Sequence, residues 1–151
     1  MTMVPLAPVR FGAKALALRF RLEAMMRRRS LPDLLQALTP SPPRAARGRE
    51  VVYRTAPLAA LRASLSATED ILARFPLAPD TCLYRALTRY AILRSAGYPA
   101  RFVMGVRPGA GEIAGHAWVE LAGEPFDEDL EPDLVVTYAY PETPERTWGG
   151  S

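Results

Sequence analysis

The chain has 151 residues, 49% of them apolar, with nineteen Lys and Arg, sixteen Asp and Glu, one Cys and one His. That length predicts one domain. No stretch reaches the ~18 uncharged apolar residues of a membrane span, and Arg10, Lys14, Arg19 and Arg21 interrupt the place where a secretory signal would carry its apolar run. One Cys excludes an internal disulfide, one His argues against a structural zinc site, and no phosphate-binding Gly-rich loop is present, so the expectation is a cytoplasmic protein without metal or cofactor.

Charge is divided unevenly. Residues 1–54 carry eleven Lys and Arg and three acids, whereas residues 111–151 carry ten acids and one base, Arg146. Two solvated faces account for this. So does a basic N-terminal face that meets an acidic peptide or partner. Only Phe11 and Phe20 interleave with the basic residues of the 10–29 stretch, so nucleic acid is not an expected partner.

In chain order, Leu16, Phe20, Met25 and Met26 among arginines predict a basic amphipathic helix over 10–29. Leu31, Leu34, Leu35 and Leu38 predict a short second helix, with Ser30 as N-cap and Pro32 in its first turn. Pro40, Pro42, Pro43 and Gly48 mark a loop, and Val51 to Tyr53 a short extended piece. Pro57 opens a helix running to about Phe75, with Leu58, Leu61, Leu65, Ile71 and Leu72 on one face, closed by Pro76 and Pro79. Asp80 or Thr81 is an N-cap, which places Cys82 in the first turn of a helix; Gly97 serves as C′ residue and Pro99 forbids continuation.

Phe102 to Val106 reads as a buried strand, and Arg107 to Gly115 as a connection. His116 to Leu121 alternates, with Ala117, Val119 and Leu121 on one face and His116, Trp118 and Glu120 on the other. After an Ala122-Gly123 turn, Glu124 to Leu130 returns as a strand, and Val135 to Tyr140 adds a third. Helices followed by an antiparallel sheet define an α+β fold in a single domain, 1–151. It divides into a helical N-terminal extension, 1–50, and a core, 51–140.

The chemistry-bearing residues are Cys82 and His116. A helix N-terminus stabilises a thiolate, and a nearby imidazole can take its proton. The backbone N–H groups around Cys82 could hold a developing oxyanion, worth ~3 kcal/mol per donor in favourable cases. Most free cysteines are small buried hydrophobes, and that remains the bland reading. His116 lies opposite the Ala-Val-Leu face, so it points away from the core. A three-residue hairpin loop would pair His116 with Glu128. A two-residue turn would pair it with Asp129 and set Asp127 opposite Trp118. Either register brings a carboxylate beside the imidazole, where it would fix the tautomer. Asp129, Glu131 and Asp133 read as an exposed strand end. Trp118 could wall a cleft or pack under the His ring. Tyr84, Arg85 and Arg89 read as ordinary helix surface, with Arg85 a secondary candidate for substrate contact.

The stretches Cys82-Leu-Tyr-Arg-Ala-Leu, Gly97-Tyr-Pro-Ala-Arg-Phe-Val-Met-Gly-Val-Arg107 and His116-Ala-Trp-Val-Glu-Leu resemble the leader peptidases of lasso-peptide biosynthesis, the peptidase part of the lasso B protein. The resemblance covers roughly residues 80–130. It implies a transglutaminase-like fold related to papain and a Cys-His-Asp triad, with Cys82 and His116 in place. The family's Asp lies about twelve positions past the His, which falls on Glu128 with Asp127 adjacent. The resemblance also implies an activity, removal of the leader from a ribosomally made precursor peptide so that a cyclase can close a macrolactam. The helical first 75 residues match the split form, which works with a separate leader-recognition protein. Two other activities fit the same residues: a transglutaminase- or amidase-type acyl transfer, and non-catalytic peptide binding on the same fold.

Overall fold

A computed structural model of the chain describes residues 6–40, 56–74, 81–109 and 114–143. Among the described residues, four helices precede the sheet: α1 (Leu6–Met26), α2 (Leu31–Leu38), α3 (Leu58–Ala73) and α4 (Cys82–Ser95). Strands β1 (Arg101–Arg107), β2 (Ala114–Leu121), β3 (Glu124–Pro125) and β4 (Val135–Tyr140) form one antiparallel sheet in the order β3-β2-β1-β4. The α+β architecture is as the sequence predicts. The loop over 41–55, the extended piece at Val51 to Tyr53, the helix stop at Phe75, Pro76 and Pro79, and the candidate cap Asp80 lie outside the described residues.

Local chemistry sets the helix ends. Ser30 caps α2, its Oγ accepting from the Asp33 N–H, with Pro32 in the first turn. Pro57 precedes α3. Helix α4 ends in a Schellman motif: Tyr98 N–H donates to Leu93 O, and Gly97 N–H to Arg94 O. Gly97 takes φ 87°, a left-handed conformation that costs a glycine nothing.

Helix α1 buries the predicted face only in part: Met25 and Met26 pack against the core, but its fully buried stripe is a different one. Phe11, Ala15, Leu22 and the side chain of Arg19 face inward, while Phe20 stands 55% exposed. The spacing of 11, 15 and 22 is as helical as that of 16, 20, 25 and 26, and contact with α3 and α4 decides between them. On α3, Leu61, Leu65 and Leu72 are buried but Ile71 is exposed.

The core lies between the helices and one face of the sheet. Tyr90 of α4 meets Phe102 of β1 and Tyr140 of β4 edge to face. Ala117 and Val119 of β2 complete that face. The opposite face is also buried at Val103 and Trp118, so the alternation of β2 does not separate core from solvent. Among the described residues, no helix is long and apolar enough to cross a membrane.

Candidate active site

The hairpin after β2 uses the two-residue turn. Leu121 pairs with Glu124, and Ala122 and Gly123 carry φ 52° and 84°. Ladder pairing ends at Glu120 opposite Pro125, and the carbonyl of Phe126 just beyond it accepts from Arg89. The predicted strand to Leu130 is therefore two residues long. Phe126 still donates its N–H to Val119 O at 2.7 Å and buries its ring. Asp127 follows at φ 59°, a left-handed step that turns the chain off the sheet edge. This step overrides the extrapolated register. It is Glu128, not Asp129, that reaches the imidazole, with His116 Nε2 and Glu128 Oε2 2.9 Å apart. Asp127 points elsewhere, its Oδ1 3.3 Å from Arg62 Nε.

An ionised carboxylate only accepts, so His116 Nε2 carries the hydrogen of this bond and Nδ1 is left as the basic nitrogen. The ring also stacks on Trp118, with centroids 5.9 Å apart and planes 15° from parallel. Trp118 is 2% exposed. Its indole Nε1–H donates to Glu120 Oε1, and Arg101 holds the other oxygen of Glu120. Trp118 thus packs beside the His ring; its burial disfavours the substrate-contact alternative. Gly105 makes room for it: a Cβ there would lie 3.0 Å from the indole and 2.9 Å from Val135 O.

Cys82 begins α4 and is half-buried against the core cluster. Thr81 occupies the N-cap position but makes no side-chain capping bond. The first bond of the helix runs from Arg85 N–H to Thr81 O. The N–H groups of Cys82, Leu83 and Tyr84 therefore precede the helix's own hydrogen bonding. Among the described residues, the hydrogen bond of His116 runs to Glu128 and none joins it to Cys82. Arg85 is exposed one turn along from Cys82.

Arg89 is not helix surface. It sits seven residues after Cys82, on the same face of α4 about 10 Å along the axis, and its side chain is 9% exposed. Nε and Nη2 grip both oxygens of Glu69 on α3 at 2.8 and 2.9 Å. Nη1 donates to Glu128 Oε1 at 3.1 Å and to Phe126 O at 3.2 Å. Burial opposes the guanidinium charge. The hydrogen bonds and charge of Glu69, then the charges of Glu128 and Asp127, outweigh it and hold the Arg89 pKa above its ordinary value. A signal for Arg89 exists in the sequence: it is the one charge within the otherwise uncharged run Ala86 to Leu93, and it shares a face with Cys82.

Beside His116 an open pocket of about 250 Å³ is lined by Arg107, Gly115, Glu128, Asp129, Glu131 and Leu134, among others. Arg107 and Glu131 form an ion pair across it.

A cysteine at the start of a helix packed on an antiparallel sheet, with a histidine and a carboxylate paired at that sheet's edge, defines the class of cysteine-dependent acyl-transfer folds. A family model described as the transglutaminase-like superfamily matches residues 13–139, and the chain belongs to that superfamily, whose fold is of the cysteine peptidase and acyltransferase type. Comparison with curated proteins and with solved structures found no match.

Proposed function

We propose that the protein is a cytoplasmic cysteine peptidase that removes the leader from a ribosomally made lasso precursor peptide. The observation that carries the catalytic part is the His116–Glu128 hydrogen bond, which leaves Nδ1 basic in a chain with a single Cys at an uncapped helix start. The leader-peptide part rests on the three stretches around Cys82, Gly97 to Arg107 and His116.

In this reading His116 Nδ1 takes the Cys82 proton, and the thiolate attacks the carbonyl at the leader's end. The N–H groups at the start of α4 stabilise the oxyanion. The imidazolium returns its proton to the departing amine, which becomes the core peptide's N-terminus. Water, deprotonated by His116, then hydrolyses the thioester and frees leader and enzyme. Glu128 stabilises the imidazolium in both halves.

A separate leader-recognition protein and the cyclase are the expected partners. The basic side of α1 is the docking surface in this proposal. Arg10, Lys14 and Arg21 are exposed there and Arg28 just past the helix end, whereas Arg19 is buried and takes no part in that surface.

The test is cleavage of a lasso-type precursor with the recognition protein present, followed by mass spectrometry. Wild type should release intact leader and Cys82→Ala should not. Equal cleavage by both would remove Cys82 from the mechanism. Transfer of the acyl group to an amine without peptide cleavage would assign the chain to the acyltransferases instead.

A further inference from the structure

We propose that Glu69 and Arg89 are positioning residues that fix the charge and orientation of Glu128, and through it the protonation of His116. The inference rests on His116 being the base, but its test does not need turnover.

Four charged or chargeable groups alternate in sign along one hydrogen-bonded line: Glu69, Arg89, Glu128, His116. The two oxygens of Glu128 are divided, Oε1 to Arg89 and Oε2 to His116. Arg89 is itself held on both sides, by two bonds to Glu69 and one to Phe126 O. No single-bond rotation of Glu128 keeps both partners, so its plane is set by α4. Helix α4 also carries Cys82, on the same face. The chain of contacts thus ties the acid to the element that bears the nucleophile rather than to the hairpin it comes from. A buried ion pair is a poor device for stability, because apolar residues of like volume often do as well. Placing one in the apolar stretch Ala86 to Leu93 calls for another use, and fixing Glu128 supplies it.

The signs follow from electrostatics. Glu69 offsets Arg89; without it the guanidinium acts in full on Glu128 and His116, and the imidazolium is disfavoured. Without Arg89, the charge of Glu128 is uncompensated and the imidazolium is favoured. Removing both leaves the balance nearly as it was. The other charges facing His116 stay constant in these variants: Asp129, Glu131 and Arg107 line its pocket, and Asp127 is paired with Arg62.

His116 is the only histidine, so its ring resonances identify themselves in an NMR titration of the full chain. Glu69→Gln keeps the shape and one of the two acceptor oxygens, removes the charge, and is expected to lower the titration midpoint by roughly half a pH unit or more. Arg89→Gln should raise it by a similar amount, and the double variant should titrate near wild type. In cleavage assays the acid limb of kcat should move with the midpoint while KM holds. A folded Glu69→Gln protein with an unmoved midpoint overturns the proposal, whatever becomes of Arg89→Gln. Loss of folding stability by all three variants, without alternation of sign, does the same. If wild type cleaves no precursor, the peptidase reading fails and the titration still decides this one.

Discussion

Glu128→Gln is the sharpest perturbation of the site, because both carboxylate oxygens are in use. Arg89 Nη1 donates to Oε1 at 3.1 Å and His116 Nε2 to Oε2 at 2.9 Å. An amide has one oxygen and one NH₂ and cannot accept from both. The charged donor is the stronger, so the amide oxygen turns to Arg89 and the NH₂ to His116. Nε2 must then accept, and the ring shifts its hydrogen to Nδ1, the nitrogen that should take the thiol proton. The cost to folding is small, about 1–2 kcal/mol for one exchanged bond at a partly exposed carboxylate. The cost to catalysis is that of a wrong tautomer, about 10⁴-fold in kcat or ~5.5 kcal/mol. Glu128→Ala leaves the ring free to choose and should be more active than Glu128→Gln, although it removes more. The assay is single-turnover cleavage of the precursor for both variants, with urea denaturation alongside. Glu128→Gln within tenfold of wild type, or less impaired than Glu128→Ala, would refute the reasoning.

Gly105→Ala should cost about 1–3 kcal/mol, because its Cβ meets the Trp118 ring and Val135 O; it should also move the stacked His116 ring, seen as lower kcat and shifted imidazole resonances. Asp127→Asn should cleave at nearly the wild-type rate, since Asp127 faces Arg62, and Asp127→Gly should keep its stability while Asp127→Val loses about 1–3 kcal/mol in denaturant melts at the φ 59° position. Burial, opposed by the Thr39 hydrogen bond, raises the Tyr90 pKa. The unfolded tyrosine ionises first, near 10, so this contribution to stability is intact below that pH and is lost as pH climbs toward the folded value. Tyr90→Phe should lose about 1 kcal/mol at neutral pH with its Thr39 bond, yet show a flatter alkaline decline in thermal melts.

What can be read from the sequence divides along physical lines. Ends governed by local chemistry are legible: Ser30 and Pro32 at α2, Cys82 at the start of α4, Gly97 at its end, Ala122-Gly123 at the hairpin. Faces governed by tertiary contact are less so. Two helical stripes compete on α1, and only packing on α3 and α4 selects Phe11, Ala15 and Leu22 over Phe20. The acidic residue shows both effects. That a carboxylate from 127–129 meets His116 follows from either hairpin register, but which one depends on where the pairing with β2 ends and on Asp127 turning left-handed. Arg89 reads as solvated because long cationic side chains usually are. Its partners come from α3 and from beyond β3, and no local pattern pairs residue 89 with 69 and 128.

The stacking of Trp118 on His116 also gives the protein an optical gauge. Indole emission is quenched by a protonated imidazole in contact with it. Trp118 is held rigidly and is one of only two tryptophans, so replacing Trp148 with Phe would leave its emission alone to report on the neighbouring ring. Proton movement at the histidine could then be followed in real time by light, on mixing with peptide, with no label and no second probe.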